Sequence, residues 1–226
     1  MNVLRMILSE TLEVLASSGY DARELVFAEP AGARDVEILE GDLGFRIPQS
    51  FKQLLTQVSS HVEFHWFAPD GREFPVPMHQ CFSGDLHWSL DFVRKFNAAK
   101  DSWIRECFPN PSDKYDRVWH DKLAFYEVGN GDYLALDLSL GTYGQVVYLS
   151  HDDGEGHGHI LANDAIDLVQ RWVPLACVGG EDWQWLPFKR DRDSALDPDC
   201  ANAHQWRQLL GLPPNTALQL TGFAGS

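Results

Sequence analysis

LAFYEVGNGDYLALDLSLGTYGQVVYLSH, residues 123–151, decides the fold. LAFYEV (123–128) and YLALDLS (133–139) read as strands on either side of Gly129-Asn130-Gly131-Asp132. Asn-Gly tolerates the positive φ that a tight hairpin turn needs. Leu134, Leu136 and Leu138 fall on one face of the second strand, with Asp137 on the other. GTYG (141–144) turns the chain again, and QVVYLSH (145–151) reads as a third strand. The three form an antiparallel meander.

Upstream, Leu4, Ile7, Leu8, Leu12 and Leu15 recur at helical spacing, which predicts a helix over 2–17 stopped by Gly19. A short helix over 35–43 ends at Gly44. Pro48 is placed at the first position of another helix, whose buried stripe is Phe51, Leu54, Leu55 and Val58. Val62, Phe64 and Trp66 alternate as in a strand, and Pro69-Asp70-Gly71 is a turn. Residues 89–107 read as an amphipathic helix with Ser89 as N-cap and Phe92, Phe96, Trp103 and Ile104 on its apolar side. Downstream of the meander, Asn163 is expected to cap a helix carrying Ile166, Leu168, Val169 and Trp172. Trp183 and Trp185 fall in a short strand or loop, and 204–210 in a last helix stopped by Gly211. The expectation is an α+β fold with a mixed, mainly antiparallel sheet packed by helices. It divides as a domain over 1–173 with an elaborated 68–118 segment, an extension over 174–212 packed on it, and a loosely ordered tail over 213–226.

Lys plus Arg number 18 and Asp plus Glu 33, a net charge of −15. Such a field repels nucleic acid and anionic membrane and attracts basic partners, and it also serves solubility. Cys81, Cys107, Cys177 and Cys200 form no C-x-x-C pair and read as reduced thiols, mostly in the core. Arg5, Glu10 and Glu13 interrupt the N-terminal apolar residues, so no signal-peptide core is expected there. No stretch approaches the roughly 20 apolar residues of a membrane helix. The chain is therefore placed in the cytoplasm.

No nucleophile elbow, P-loop, H-E-x-x-H or EF-hand pattern is present. The one suspicious cluster is His151-Asp152-Asp153-Gly154-Glu155-Gly156-His157-Gly158-His159. Extended, His157 and His159 would face one side and could hold zinc or nickel. The preferred reading is a flexible, solvated loop, because a metal site needs fixed geometry and this loop is glycine-rich. Asp137 is read as structural in preference to a general base. No metal, cofactor or catalytic residue is assigned. From Leu123 to Gln170 there is no Lys or Arg, while Glu127, Asp132, Asp137, Asp152, Asp153, Glu155, Asp164 and Asp167 are acidic. A stretch of one sign is either a solvated face or a docking surface for a basic protein. Trp183 and Trp185 are either core or exposed anchors.

Two separated pieces carry a resemblance. The first is Leu39-Glu40, Leu43-Gly44, Ile47-Pro48 and Phe51-Lys52 followed by Leu54-Leu55. The second is Gly131-Asp132-Tyr133-Leu134-Ala135-Leu136-Asp137-Leu138, then Val146 to Asp152, then the helix ending at Trp172. In this order they resemble the SUKH superfamily over about residues 35–172. The superfamily includes a fungal regulator of cell-wall synthesis and many bacterial immunity proteins. The chain departs from the minimal family at its N-terminal helix, in the 68–118 segment and after Val173. It also has Ser59-Ser60-His61 where a polar Asn-Gly turn is usual.

The resemblance implies the α+β fold and a non-enzymatic immunity protein that binds and neutralises a toxin domain. A basic toxin, such as a nuclease, suits the charge. A regulatory interaction scaffold, and a metal-binding or enzymatic domain built on 151–159, are the alternatives. Asp152, Asp153 and Glu155 are the first choices for partner contact, with Asp132, Trp183 and Trp185 beside them.

Overall fold

The computed structural model describes residues 2–215, so the expected loose tail over 213–226 lies outside the described residues apart from 213–215. Helix α1 (Val3–Ser17) buries Leu4, Leu8, Leu12 and Leu15, and its Asn2 cap accepts a hydrogen bond from the Leu4 N–H. Strands β1 (Asp21–Ala22) and β2 (Val26–Phe27) precede α2 (Ala33–Leu43), which ends at Gly44. Pro48 is the extended N-cap of α3 (Gln49–Gln53) and not its first helical residue. The helix then loosens into a π-helical turn over Leu54–Val58, closed by Ser59 N–H donating to the Leu54 carbonyl at 3.0 Å.

Strands β3 (His61–Phe67) and β4 (Ser83–Ser89) follow, then α4 (Phe92–Glu106) and α5 (Asp116–Trp119). Ser89 closes β4 and does not cap α4. Its hydroxyl accepts from the Asp91 N–H across the bend between the two. The meander is β5 (Lys122–Glu127), β6 (Tyr133–Asp137) and β7 (Val146–Leu149), joined by a fourth strand, β8 (Ile160–Ala162). The turn between β5 and β6 has Gly131 at φ 94°. Helix α6 (Ala165–Trp172) is capped by Asp164, not Asn163. Asp164 is the extended residue before the first turn, and its carboxylate accepts from the Asp167 N–H at 2.8 Å. Trp183 and Trp185 belong to a helical turn, α7 (Asp182–Trp185), and α8 (Ala201–Leu209) is the last helix described.

The architecture is α+β. Among the described residues, β1, β2 and β4 pair with β3 in one sheet and β5-β6-β7-β8 form a second, with every pairing antiparallel. Every residue of β6 is buried. On one face Leu134 and Leu136 join Leu123, Val146 and Tyr148 in the main core. On the other, Tyr133 and Ala135 join Ala124, Val147 and Leu149 under Phe96, Phe108 and Trp119. The 68–118 segment, with Trp119 just after it, therefore supplies the cover for the sheet's second face, which would otherwise lie open to water.

Helix α4 also closes the free edge of β5. The Asn97 side chain accepts from the Ala124 N–H at 3.2 Å and donates to the Ala124 carbonyl at 2.9 Å. A side-chain amide thereby replaces a neighbouring strand. Lys122 and Asp137 close the other end of the β5–β6 pair with a buried ion pair at 3.1 Å. Asp137 also accepts from the Ser139 N–H and the Thr142 hydroxyl, so it holds the turn after β6.

Residues past Pro174 enter the main core through Trp185, Phe188, Leu196 and Trp206. Residues 177–179 run antiparallel beside β4, with a bridge between Gly84 and Val178. At that crossing the Trp66 indole N–H donates to the Ala176 carbonyl at 2.8 Å. A Cβ on Gly84 would lie 1.9 Å from the indole nitrogen and 2.5 Å from that carbonyl oxygen.

Two outcomes follow for chemical denaturation. Gly84→Ala is expected to cost about 1–3 kcal/mol or more, since backbone and a buried indole must both shift. Leu136→Ala, at a position with no exposed surface, is expected to cost about 2–5 kcal/mol.

Candidate functional site

The loop that follows β7 carries the three carboxylates singled out in the sequence, and its position is set from below by Asp132. That carboxylate is 1% exposed. Its Oδ2 accepts from the Tyr148 hydroxyl at 2.6 Å and from the Asn130 amide at 2.8 Å. Its Oδ1 accepts from the His151 N–H at 2.8 Å and from His151 Nδ1 at 2.6 Å. A buried anion with four donors is tolerable because hydrogen bonds to the charged form offset its lost hydration. The tight turn, the end of β7 and the start of the loop thus meet at one residue. The His151 ring packs against Trp103 of α4, with centroids 5.0 Å apart.

Three further contacts fix the loop itself. The Tyr115 hydroxyl donates to the Ser150 carbonyl at 2.6 Å and accepts from the Asp153 N–H at 3.0 Å. The buried His157 ring stacks on Tyr115 at 3.7 Å. Its Nδ1 accepts from the Ser150 N–H, which places the proton on Nε2, where it donates to the Tyr115 carbonyl at 3.1 Å. On the far side Asp182 accepts from the Gly156 N–H at 2.7 Å. The glycine-rich loop is therefore held by side chains from three directions, where a flexible segment was expected.

Burial pushes the His157 imidazole below its ordinary value. Burial, with Lys189 and Arg192 nearby, takes His159 down to about 4. Burial raises the Asp182 carboxyl, an effect that the N–H groups of Gly156 and Trp183 oppose. At His157 and His159 burial thus favours the neutral imidazole.

Asp152, Asp153 and Glu155 are exposed, as a contact surface requires. Trp183, next to the Asp182 that grips the loop, is 38% exposed. Asp132 and Trp185 do not belong with them, because both are buried. Asp132 is spent on the loop's foundation, and the Trp185 indole donates to the Gly180 carbonyl at 3.0 Å. Much of the acidic stretch is also engaged elsewhere. Asp137 pairs with Lys122, Glu127 with Lys95 and Asp167 with Arg171, while Asp164 caps α6. Of the eight carboxylates in that stretch, the exposed ones are those of Asp152, Asp153 and Glu155.

His157 and His159 do not face one side. One stacks on Tyr115 and the other lies 5.9 Å from Trp185. Among the described residues, metal-competent side chains instead converge at Asp132, His151 and Asp152, and separately at His65, Asp85 and His87. In the first group Asp132 already accepts four hydrogen bonds. The second went unseen in the sequence, where His65 stands about 20 positions from the other two and β4 shows no clear alternation. The signal that could have found it is the i, i+2 spacing of Asp85 and His87 facing His65 on β3.

A family model described as SMI1 / KNR4 family (SUKH-1) matches residues 30–171, more than half of the chain. No curated protein matches it. The matched region runs from the approach to α2 to the end of α6. It contains the Asp132–His151 pair and the loop but not Asp182.

Asp132→Ala leaves its former donors facing a cavity and is expected to cost about 3–5 kcal/mol. Asp153→Asn, at the surface, should change stability by no more than about 0.5 kcal/mol. Equilibrium denaturation checks both. His159 adds a pH effect of defined sign. Its imidazole takes up a proton more readily unfolded than folded, so the stability it contributes is present above about pH 6.5 and declines as pH falls towards 4. Between pH 7 and 4.5 the wild type should lose more stability than His159→Gln, measured by the same method.

Proposed function

The chain belongs to the SMI1 / KNR4 family (SUKH-1), and from that premise we propose that it is an immunity protein that binds and neutralises a toxin domain in the cytoplasm. The observation that carries the reading is the surface made by Asp152, Asp153 and Glu155, three exposed carboxylates on a loop fixed by buried contacts. A surface ordered before binding loses little conformational entropy on association. Its charge, within a chain of net −15, favours a basic partner such as a nuclease domain. Trp183 beside the loop offers the kind of aromatic anchor that dominates off-rates.

The same chemistry supports binding over catalysis. Asp132 has every acceptor position engaged, and both ring nitrogens of His157 are hydrogen-bonded. Neither is free to move a proton to or from a substrate. No helix among the described residues is long and apolar enough to cross a membrane.

Speed matters to an inhibitor whose target acts on arrival, and a field of one sign raises association rates. Steering weakens as the Debye length shrinks from about 30 Å at 0.01 M salt to about 8 Å at 0.15 M. The test first identifies, from genome sequence, a toxin gene neighbouring this one, and then follows stopped-flow association with its toxin domain at several salt concentrations. The wild-type on-rate should fall steeply with salt. An Asp152→Asn, Asp153→Asn, Glu155→Gln triple variant should show a lower on-rate and a shallower slope, and Trp183→Ala should mainly raise the off-rate. A salt-independent on-rate unchanged in the triple variant would remove the loop from the interface. Absence of any complex with that toxin would remove the immunity reading.

A further inference from the structure

The solvent side of the first sheet holds a second constellation, independent of the loop. β3 and β4 pair so that His65 stands opposite Asp85 and Glu63 opposite His87. Residues two apart on a strand share a face, so His65, Asp85 and His87 project together. His65 Nδ1 lies 3.1 Å and His87 Nδ1 2.9 Å from the same oxygen, Asp85 Oδ1. The ligand atoms of all three residues lie within 4.8 Å of one another.

We propose that His65, Asp85 and His87 form a binding site for a divalent transition-metal cation, zinc first, with water completing the coordination. Bonds of about 2.0–2.2 Å in a tetrahedron put neighbouring ligand atoms roughly 3.3 Å apart, close to the two nitrogen–oxygen distances observed. Two imidazoles and a carboxylate are a donor set that suits zinc and its first-row neighbours and is poor for magnesium or calcium. On binding, the cation takes the Nδ1 lone pair of each ring, which is then neutral with its single proton on Nε2, and any second proton that the ring carried is released to solvent.

The support behind these residues is of the kind that metal sites require. The His87 ring is stacked on the buried Tyr126 at 3.9 Å and 15°. The Tyr126 hydroxyl donates to the Asp85 carbonyl at 3.3 Å, and the Asp85 N–H donates to the Cys177 carbonyl at 2.7 Å. Two ligands therefore stand on β4, which is paired with β3 along its length and braced from the core. The side chains of His65, Asp85 and His87 are 30%, 23% and 14% exposed, enough for a cation to arrive and for a water to remain. Glu63 is engaged by His61 Nε2 at 2.8 Å and adds negative charge at the margin. Arg23, whose N–H donates to the His65 carbonyl at 3.0 Å, has its side chain paired with Asp21 at 2.7 Å. The Asp132–His151–Asp152 group makes the contrast, since its central carboxylate is buried and has no position left to give a metal.

The experiment is calorimetric titration of the full chain, without an affinity tag and after dialysis against chelator, with zinc chloride. One equivalent should bind with micromolar affinity or tighter. His65→Gln and His87→Gln should each weaken it at least about tenfold, while His157→Gln and His159→Gln should leave it unchanged. Circular dichroism confirms that each variant keeps its fold. Histidine-ring nuclear magnetic resonance of the wild type, titrated with zinc, needs no variant and should shift the His65 and His87 rings first. No stoichiometric binding would overturn the proposal. So would undiminished binding in a folded His65→Gln, His87→Gln double variant, or ring shifts confined to other histidines. None of these results bears on whether the chain binds a toxin.

Discussion

A single buried carboxylate, Asp132, ties the turn of the central hairpin to the end of the next strand and to the loop beyond it. Its four hydrogen bonds come from Asn130, Tyr148 and two atoms of His151. Charge held in this way is costly to bury and more costly to leave unpaired. The arrangement therefore tolerates few alternatives and fixes where Asp152, Asp153 and Glu155 stand. Specific surface geometry thus depends on a residue that no partner can touch.

The additions to the family core serve the same end. The segment before β5 covers the second face of the sheet, and in doing so brings Trp103 against His151 and Tyr115 under His157. The chain after α6 returns along β4, fills the core with Trp185 and Trp206, and delivers Asp182 to the Gly156 N–H. Asp182 lies beyond the region that the family model matches. A glycine-rich loop that would otherwise sample many conformations is held by the segment that precedes β5 and by the one that follows α6. What reaches solvent there is almost wholly acidic.

Much of the fold was legible because local pattern and tertiary role agreed. Alternation marked β5, β6 and β7, and the Asn130-Gly131 turn set their pairing. Helical spacing marked α1 and α6. Where burial is decided by distant residues, local reading failed. Asp132 looks like any turn carboxylate until Tyr148 and His151 fold onto it, and Trp185 looks as free as Trp183 until the core closes around it. Serine and asparagine beside a helix start suggested caps at Ser89 and Asn163. The helices instead begin after Asp91 and Asp164, and of these two only Asp164 caps through its side chain. β4, with Gly84 and both faces partly buried, carries too little alternation to be read as a strand. The grouping of His65 with Asp85 and His87 was hidden for the same reason.

The proposed binding surface requires the acidic loop to be ordered before any partner arrives. Amide hydrogen exchange of the free protein tests this most directly, because the N–H groups of Ser150, His151, Gly154 and Gly156 all donate to side chains that hold the loop. These amides are expected to exchange far more slowly than an unstructured peptide, with protection approaching that of β6 and β7 for His151. Exchange at the unstructured rate across 150–156 would contradict the claim, and with it the idea that Asp132 builds the surface above it.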